Sequence, residues 1–245
     1  MICAVRIAIC LPTYNERDNV GPMVRALANV IAERSLDANV LVIDDASPDG
    51  TGELADRLAR EHEWLSVLHR ERKEGLGPAY VAGFRRALAD GAELIIEMDC
   101  DFSHDPLDVP RLVEATRNAD LVVGSRYVAG GGTRNWGPLR RAVSRGGSVY
   151  ARVVLGVPVQ DLTSGFKCFR RDVLEAIPLE RIGTKGYAFQ IETTFRALQA
   201  RFRVVEIPIT FTDRETGGSK MTRGIVLEAI VKVPSLRVAA ARGRL

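Results

Sequence analysis

Two carboxylates two residues apart, in Asp99-Cys100-Asp101, directly follow the largely apolar stretch Leu94–Met98. In extended chain, side chains at i and i+2 point the same way. Carboxylates held that close repel unless a cation or a shifted pKa relieves them. A hard divalent ion with oxygen ligands is the natural answer, and Mg²⁺ typically takes one or two carboxylates plus substrate phosphates. Asp99 and Asp101 are therefore candidate ligands for a hard divalent ion such as Mg²⁺, with the Cys100 side chain facing away. A D-x-D on its own is often only a polar loop, and its place at the end of a strand is what favours the metal.

Other polar clusters also follow apolar runs. Pro12-Thr13-Tyr14-Asn15-Glu16 follows the first run, and Asp44-Asp45 closes the second, leading into Ala46-Ser47-Pro48-Asp49-Gly50. A carboxylate at such a strand end can accept hydrogen bonds from a base or ribose. Asp, Ser, Pro and Gly are equally what a tight turn needs. We expect Asp45 on a ligand and Asp49-Gly50 in the turn. No acidic residue lies between Leu121 and Gln160, where Arg126, Arg134, Arg140, Arg141, Arg145 and Arg152 all occur. That imbalance suits a polyanionic ligand or an anionic membrane. Leu139, Val143, Tyr150, Val153 and Val154 fall roughly on one face of a helix over Leu139–Leu155, with Arg141, Arg145 and Arg152 near another, the pattern of an interfacial helix. A solvated face on a core helix is the competing reading. Asp213-Arg214-Glu215-Thr216-Gly217-Gly218-Ser219-Lys220 can close over a ligand, with Arg214 and Lys220 clamping a diphosphate. Read alone, it is an ordinary hydrophilic turn.

These residues need a scaffold, and the sequence supplies one. Apolar runs at Val5–Cys10, Val40–Ile43, Leu65–Leu68, Leu94–Met98 and Leu121–Gly124 alternate with helical patterns at Val20–Ala32, Thr51–Arg60, Ala79–Leu88 and Leu107–Thr116. That alternation predicts an α/β fold, a Rossmann-like, mostly parallel sheet with flanking helices. Ligands of such sheets bind at the carboxyl ends of the strands. After Gly130 the rhythm changes: strands are predicted at Phe166–Phe169 and Val204–Thr212, helices at Leu139–Leu155 and Tyr187–Ala200. We expect a catalytic domain over 1–220. A basic amphipathic segment, 221–245, is then part of it or appended, with Lys232, Arg237, Arg242 and Arg244 and no acid after Glu228.

Composition narrows the function further. The 245 residues carry 34 Lys and Arg against 31 Asp and Glu, and a net charge of +3 makes no case for nucleic acid. Cys3, Cys10, Cys100 and Cys168 form no C-x-x-C pair and read as small buried side chains in a reducing compartment. No run reaches the ~20 apolar residues of a spanning helix, so any membrane contact is expected to be peripheral. The first strand's turn lacks G-x-G-x-x-G, which argues against a dinucleotide enzyme. Gly75-Leu76-Gly77 is a lone G-x-G. His62, His69 and His104 make no catalytic pair.

The order PTYNE, VIDDASPDGT, GLGPAY, MDCDFSH, GSRY, DLTSGFK, KGYAFQ and DRETGGSK resembles that of dolichol-phosphate (polyprenol-phosphate) mannose synthases, inverting nucleotide-sugar transferases of GT-A fold. The likeness runs over nearly the whole chain. PTYNE and D-x-D are shared by many transferases, whereas GLGPAY, DLTSGF, KGYAFQ and the terminal loop are specific to this subgroup. The resemblance implies that Pro12, Tyr14, Glu16, Ile43 and Asp45 hold the nucleotide. It implies Asp99 and Asp101 on Mg²⁺ or Mn²⁺, with the Cys100 backbone nearby, and Ser103 where some relatives place an assisting Gln. Arg126, Arg214 and Lys220 would contact donor or acceptor phosphates, with Arg140 and Ser144 near the acceptor phosphate. The implied donor is GDP-mannose and the implied acceptor a polyprenyl phosphate, giving a β-mannosyl phospholipid. The implied setting is the cytoplasmic face of a membrane, where a form without spanning helices docks on lipid or on a separate membrane partner. A UDP-sugar donor, a dinucleotide-dependent oxidoreductase and a non-catalytic nucleotide-sugar sensor are the readings to be set against it.

Overall fold

A computed structural model describes residues 5–182, 184, 186–213, 223–243 and 245. Strands β1 (Ile7–Thr13), β2 (Ala38–Asp44), β3 (Leu65–His69), β4 (Leu94–Glu97) and β5 (Leu121–Ser125) alternate with helices α1 (Arg17–Arg34), α2 (Thr51–Glu61), α3 (Leu76–Ala89) and α4 (Val109–Ala115). The short strand β6 (Gly132–Arg134) precedes α5 (Pro138–Leu155). Then come β7 (Lys167–Arg170), α6 (Arg171–Ala176), α7 (Gly186–Gln199), β8 (Val204–Pro208), β9 (Thr210–Thr212) and α8 (Arg223–Ala241).

Seven strands form one sheet in the order β3-β2-β1-β4-β7-β5-β8, all parallel to their neighbours except β7, which runs antiparallel to β4 and β5. The strands are largely apolar because both faces are covered. On one face Val20, Met23, Val24 and Leu27 of α1 pack with Ala55 of α2 and Val109 and Leu112 of α4. On the other, Tyr80 and Phe84 of α3 meet Val173 and Leu174 of α6 and Phe189 of α7. The apolar positions of α1 recur at helical spacing, and the helix ends where Ser35 turns left-handed and returns its N–H to Ala32 and Ile31 carbonyls.

A third apolar cluster joins Ala151 and Leu155 of α5, Ile191 and Phe195 of α7, and Val233 and Leu236 of α8. The C-terminal helix is thus seated on the catalytic body. Tyr150 Oη donates to the Ile230 carbonyl and Arg237 to that of Leu155.

The predicted strand Val204–Thr212 is two strands in different sheets. The main ladder stops at Pro208, which has no N–H to give, and the chain swings away at buried Ile209 so that β9 pairs with β6. Neither β6 nor α6 is anticipated by the sequence pattern. Both are too short for periodicity to register.

Candidate active site

Parallel strands β1, β2 and β4 deliver their carboxyl ends to one edge, Thr13 beside Asp44 in register. There the turns after β1 and β2 are laced together. Asn15 N–H donates to Ser47 Oγ (3.1 Å), Glu16 N–H to Thr51 Oγ1 (3.0 Å) and Arg17 N–H to Asp49 (3.2 Å). Asp49 and left-handed Gly50 make the turn as expected, with Asp49 accepting from Thr51. Burial pushes the Asp49 carboxyl up, but these bonds outweigh it and hold it below the usual range. Tyr14 is half-buried, with the Lys73 ammonium 3.5 Å from its ring centroid. Glu16 is buried and accepts from Asn19 at 2.7 Å. Pro12 lies in β1 opposite Ile43.

Two nucleotide-binding expectations are modified here. The Ile43 side chain is wholly buried against Gly83, where an added Cβ would lie 2.4 Å from Cδ1. Its side chain is a core element, and only its backbone faces the edge. Asp45 is almost fully buried, and its carboxylate accepts from Arg70, Glu74 N–H (3.2 Å) and Gly75 N–H (2.9 Å). It organises the turn entering α3, because a buried carboxylate needs several donors.

The carboxylate loop is a series of bends after β4, so strand alternation does not govern Asp99 and Asp101. Asp101 is buried, and one of its oxygens accepts from both Ser103 N–H (3.0 Å) and Ser103 Oγ. That capture turns the loop so tightly that Phe102 sits at φ +59°, with its ring partly exposed. Ser103 is itself buried and acts on Asp101. Half-buried Asp99 accepts from Tyr80 Oη (3.3 Å), while its backbone N–H donates to His104 Nδ1 (3.2 Å). Burial, helped by the nearby carboxylates, raises the Tyr80 phenol well above its ordinary value, so it stays a donor. The Cys100 side chain lies in the apolar core, as expected.

Arg126, implied by the resemblance to contact phosphate, lies in a buried network. Its side chain is 3% exposed and forms a two-pronged ion pair with Asp161, Nε and one Nη at 2.7 Å, plus a bond to Thr163 (2.8 Å). This pairing ties the end of β5 to the segment before β7. Burial alone would raise Asp161, yet the Arg126 charge and hydrogen bonds hold its carboxyl below the usual range. The acid-free stretch ends one residue short of this partner. Arg140 is likewise paired, 2.5 Å from Asp213, and stacks on buried Trp136 at 4.3 Å. Ser144 accepts from Tyr127 Oη at 2.7 Å. Arg214 and Lys220 lie outside the described residues.

The ribbon of β6 and β9 joins these parts. Thr212 N–H donates to the Ser103 carbonyl and Asp213 N–H to that of Arg134, so the start of the terminal loop is bonded to the carboxylate loop. Beneath the site, fully buried Lys167 donates to Gln190 (2.6 and 2.9 Å) and pairs with Glu97 at 3.2 Å. Burial pushes the Glu97 carboxyl up to about 6 although Lys167 opposes it. Asp161, Lys167, Gln190, Tyr80 and His104 carry no mark in the sequence beyond their motifs. A lone polar residue among apolar ones does not reveal its partner.

On the adjoining face, α5 turns Leu139 (78% exposed), Val143, Val149 and Val153 (70%) to solvent, while Tyr150 and Val154 lean on the third cluster. On α8, Ile230, Val231 and Val238 are exposed. Among the described residues no helix is long and apolar enough to cross a membrane.

Residues 8–177 match the family described as Glycosyl transferase family 2. The chain is 48% identical over 236 residues to "Undecaprenyl-phosphate mannosyltransferase" of Micrococcus luteus, covering 96% of each. It is 46% identical over 242 residues to "Polyprenol monophosphomannose synthase" of Mycolicibacterium smegmatis, covering 98% of this chain and 89% of that one. Its fold is that of glucosyl-3-phosphoglycerate synthase from Mycobacterium tuberculosis. The UDP complex of that enzyme superposes with a TM-score of 0.67 at 20% identity over 96% of this chain and 80% of that one. A complex of the same enzyme with Mn²⁺, UDP and glucosyl-3-phosphoglycerate gives 0.63 at 20% identity over 98% and 80%. A GT-A sheet with its polar loops at the strand ends and near-full-length likeness to two mannosyltransferases lead to one assignment: the chain belongs to glycosyl transferase family 2, in the branch that contains those two enzymes.

Proposed function

We propose that this protein transfers mannose from GDP-mannose to a polyprenyl monophosphate, with inversion, at the surface of a membrane. The observation that carries the reading is the 46–48% identity, over nearly the whole chain, to two proteins named for that sugar and that class of acceptor.

The donor chemistry fits the loop after β4. Two carboxylates, Asp99 and Asp101, suit an ion that shares its remaining positions with a diphosphate and water, as Mg²⁺ and Mn²⁺ do. Among the described residues no group of three or more His, Cys, Asp or Glu could hold an ion without such help. When bound, the ion offsets the charge of the departing nucleoside diphosphate. Mn²⁺ accompanies UDP in the structurally similar synthase, which supports a divalent ion here without choosing between the two metals.

This chain's own residues bind and orient. Tyr14 and the Glu16 turn border the nucleotide, and Asp45 shapes the neighbouring turn. Arg140 and Ser144, with Arg214 and Lys220 of the terminal loop, receive the phosphates. An incoming anion competes with Asp213 for Arg140. The nucleophile is an acceptor phosphate oxygen, whose second pKa near ~6 leaves it largely ionised at neutral pH, so no dedicated base is needed. Direct displacement by that oxygen inverts the anomeric centre.

The exposed apolar faces of α5 and α8 carry Arg141, Arg145, Lys232 and Arg237 around them, and we assign this surface to an anionic cytoplasmic leaflet or a membrane protein within it. Apolar residues enter the interface while arginines meet lipid phosphates. The test is transfer of labelled mannose from GDP-mannose to polyprenyl phosphate, with and without Mg²⁺ or Mn²⁺, beside UDP-sugar donors. Metal-dependent lipid labelling from GDP-mannose alone is expected. Equal or better transfer from a UDP-sugar would replace the donor, and binding without transfer would make the protein a sensor.

A further inference from the structure

We propose that Tyr80 and His104 are positioning residues for Asp99, one gripping its carboxylate and the other its backbone, so that it meets a divalent cation already aligned. The proposal rests on the reading of Asp99 as a metal ligand.

Asp99 and Asp101 lie on a bent loop containing a residue at positive φ, so regular backbone does not aim their side chains. Asp101 is aimed from within the loop by Ser103. Asp99 is held from outside it. The hydroxyl of Tyr80, on α3, donates to Asp99 Oδ1 at 3.3 Å. The Tyr80 ring is fully buried between Phe84 (5.7 Å) and Phe189 (5.8 Å, 5° between planes), so the core sets where that hydroxyl lies. A phenol in an apolar stack has few other acceptors, and the bond satisfies a buried donor as well as orienting the carboxylate.

The second grip is at the main chain. Asp99 N–H donates to His104 Nδ1 at 3.2 Å, which requires the tautomer protonated at Nε2. His104 is buried, stacked on Phe166 (4.8 Å, 19°) and met edge-on by Phe211 of β9 (5.3 Å, 83°). Rotation of the Asp99 peptide would break this bond. With backbone and one carboxylate oxygen both located, the other oxygen is pre-oriented, and less freedom is lost when the ion binds. Groups that orient metal ligands in this way typically change metal affinity 10- to 100-fold when removed. Tyr80 of GLGPAY and His104 of the DFSH stretch otherwise have no part in the proposed chemistry.

The test is Mn²⁺ binding to the full chain with GDP present, followed by the electron paramagnetic resonance signal of the free aquo ion. Tyr80→Phe keeps the ring and removes only the hydroxyl. His104→Phe keeps an aromatic stack but removes the acceptor, and His104→Asn can place an oxygen where Nδ1 stood. We expect roughly tenfold or greater weakening of Mn²⁺ binding in each Phe variant. GDP affinity without metal should stay unchanged, and His104→Asn should recover most of the loss. Mn²⁺ affinity within twofold of wild type in both Phe variants, beside strong loss in Asp99→Asn, would overturn the proposal. A parallel fall in metal-free GDP affinity would also overturn it, by revealing general loosening. Wild-type Mn²⁺ binding by Asp99→Asn would instead refute the ligand assignment beneath it. Should His104→Phe not fold, Tyr80→Phe decides.

Discussion

Asp101 is a buried carboxylate whose local donors occupy one oxygen. Changing it to Asn keeps shape but removes the charge that the proposed divalent ion would meet. Loss of one preorganised charge-stabilising contact costs about 3 kcal/mol of barrier. Asp101→Asn should therefore lower kcat by ~10²–10³-fold while thermal stability changes little, as steady-state transfer assays and a melting curve would check. Arg214→Ala should lower kcat to a similar extent if its guanidinium meets the phosphates. Retention of near-normal turnover by both variants would remove them from the chemistry.

Elements are joined by buried polar pairs that no single element contains. Arg126 follows β5, while Asp161 lies between α5 and β7, and both are enclosed. Breaking such a pair by removing one partner typically costs ~3–5 kcal/mol, because the other charge stays buried. Asp161→Asn should lose about that much at pH 7 in urea unfolding. The sign with pH follows from linkage. A carboxyl held below its unfolded value contributes stability above ~pH 4, and that contribution disappears as acid protonates it. Wild type and Asp161→Asn should therefore begin to converge as the pH falls below ~4, and a difference that does not narrow at all on acidification would show that the ion pair is not its source. Glu97 has the opposite sign. Its raised carboxyl takes up a proton on folding, which lowers stability as pH rises from the ordinary carboxylate range to about 6. Glu97→Gln should flatten that part of the stability profile.

At the scale of the molecule, the face made by α5 and α8 is the docking surface we propose. Leu139 and Val153 are the most exposed large apolar side chains on α5. Carboxylates there would be driven into the interface against both hydrophobic and electrostatic preference. The double variant Leu139→Glu, Val153→Glu should lose at least tenfold in cosedimentation with vesicles containing anionic lipid, each lost side chain amounting to ~1.5–3 kcal/mol if fully buried. Its GDP binding in solution should be unchanged. Added salt should weaken wild-type association by screening the arginines. Undiminished vesicle binding by the double variant would move the docking surface elsewhere.

The strand–helix alternation, the polar strand ends, the carboxylate pair and the lack of a glycine fingerprint are properties of composition and period, and they sufficed for the α/β architecture and for proposing where the site lies. Burial on both faces makes a parallel strand continuously apolar wherever its neighbours lie, so this much is local. Tertiary structure decided which charges are free to act. It pairs Arg126 with Asp161, 35 positions away, and buries the Ile43 side chain against Gly83. It also decided where the main sheet ends at Pro208, where β7 inserts, and that Tyr80 and His104 converge on Asp99. Such pairings join residues distant in sequence, and their energies depend on burial and on distances of a few ångströms, which no local pattern of residues encodes.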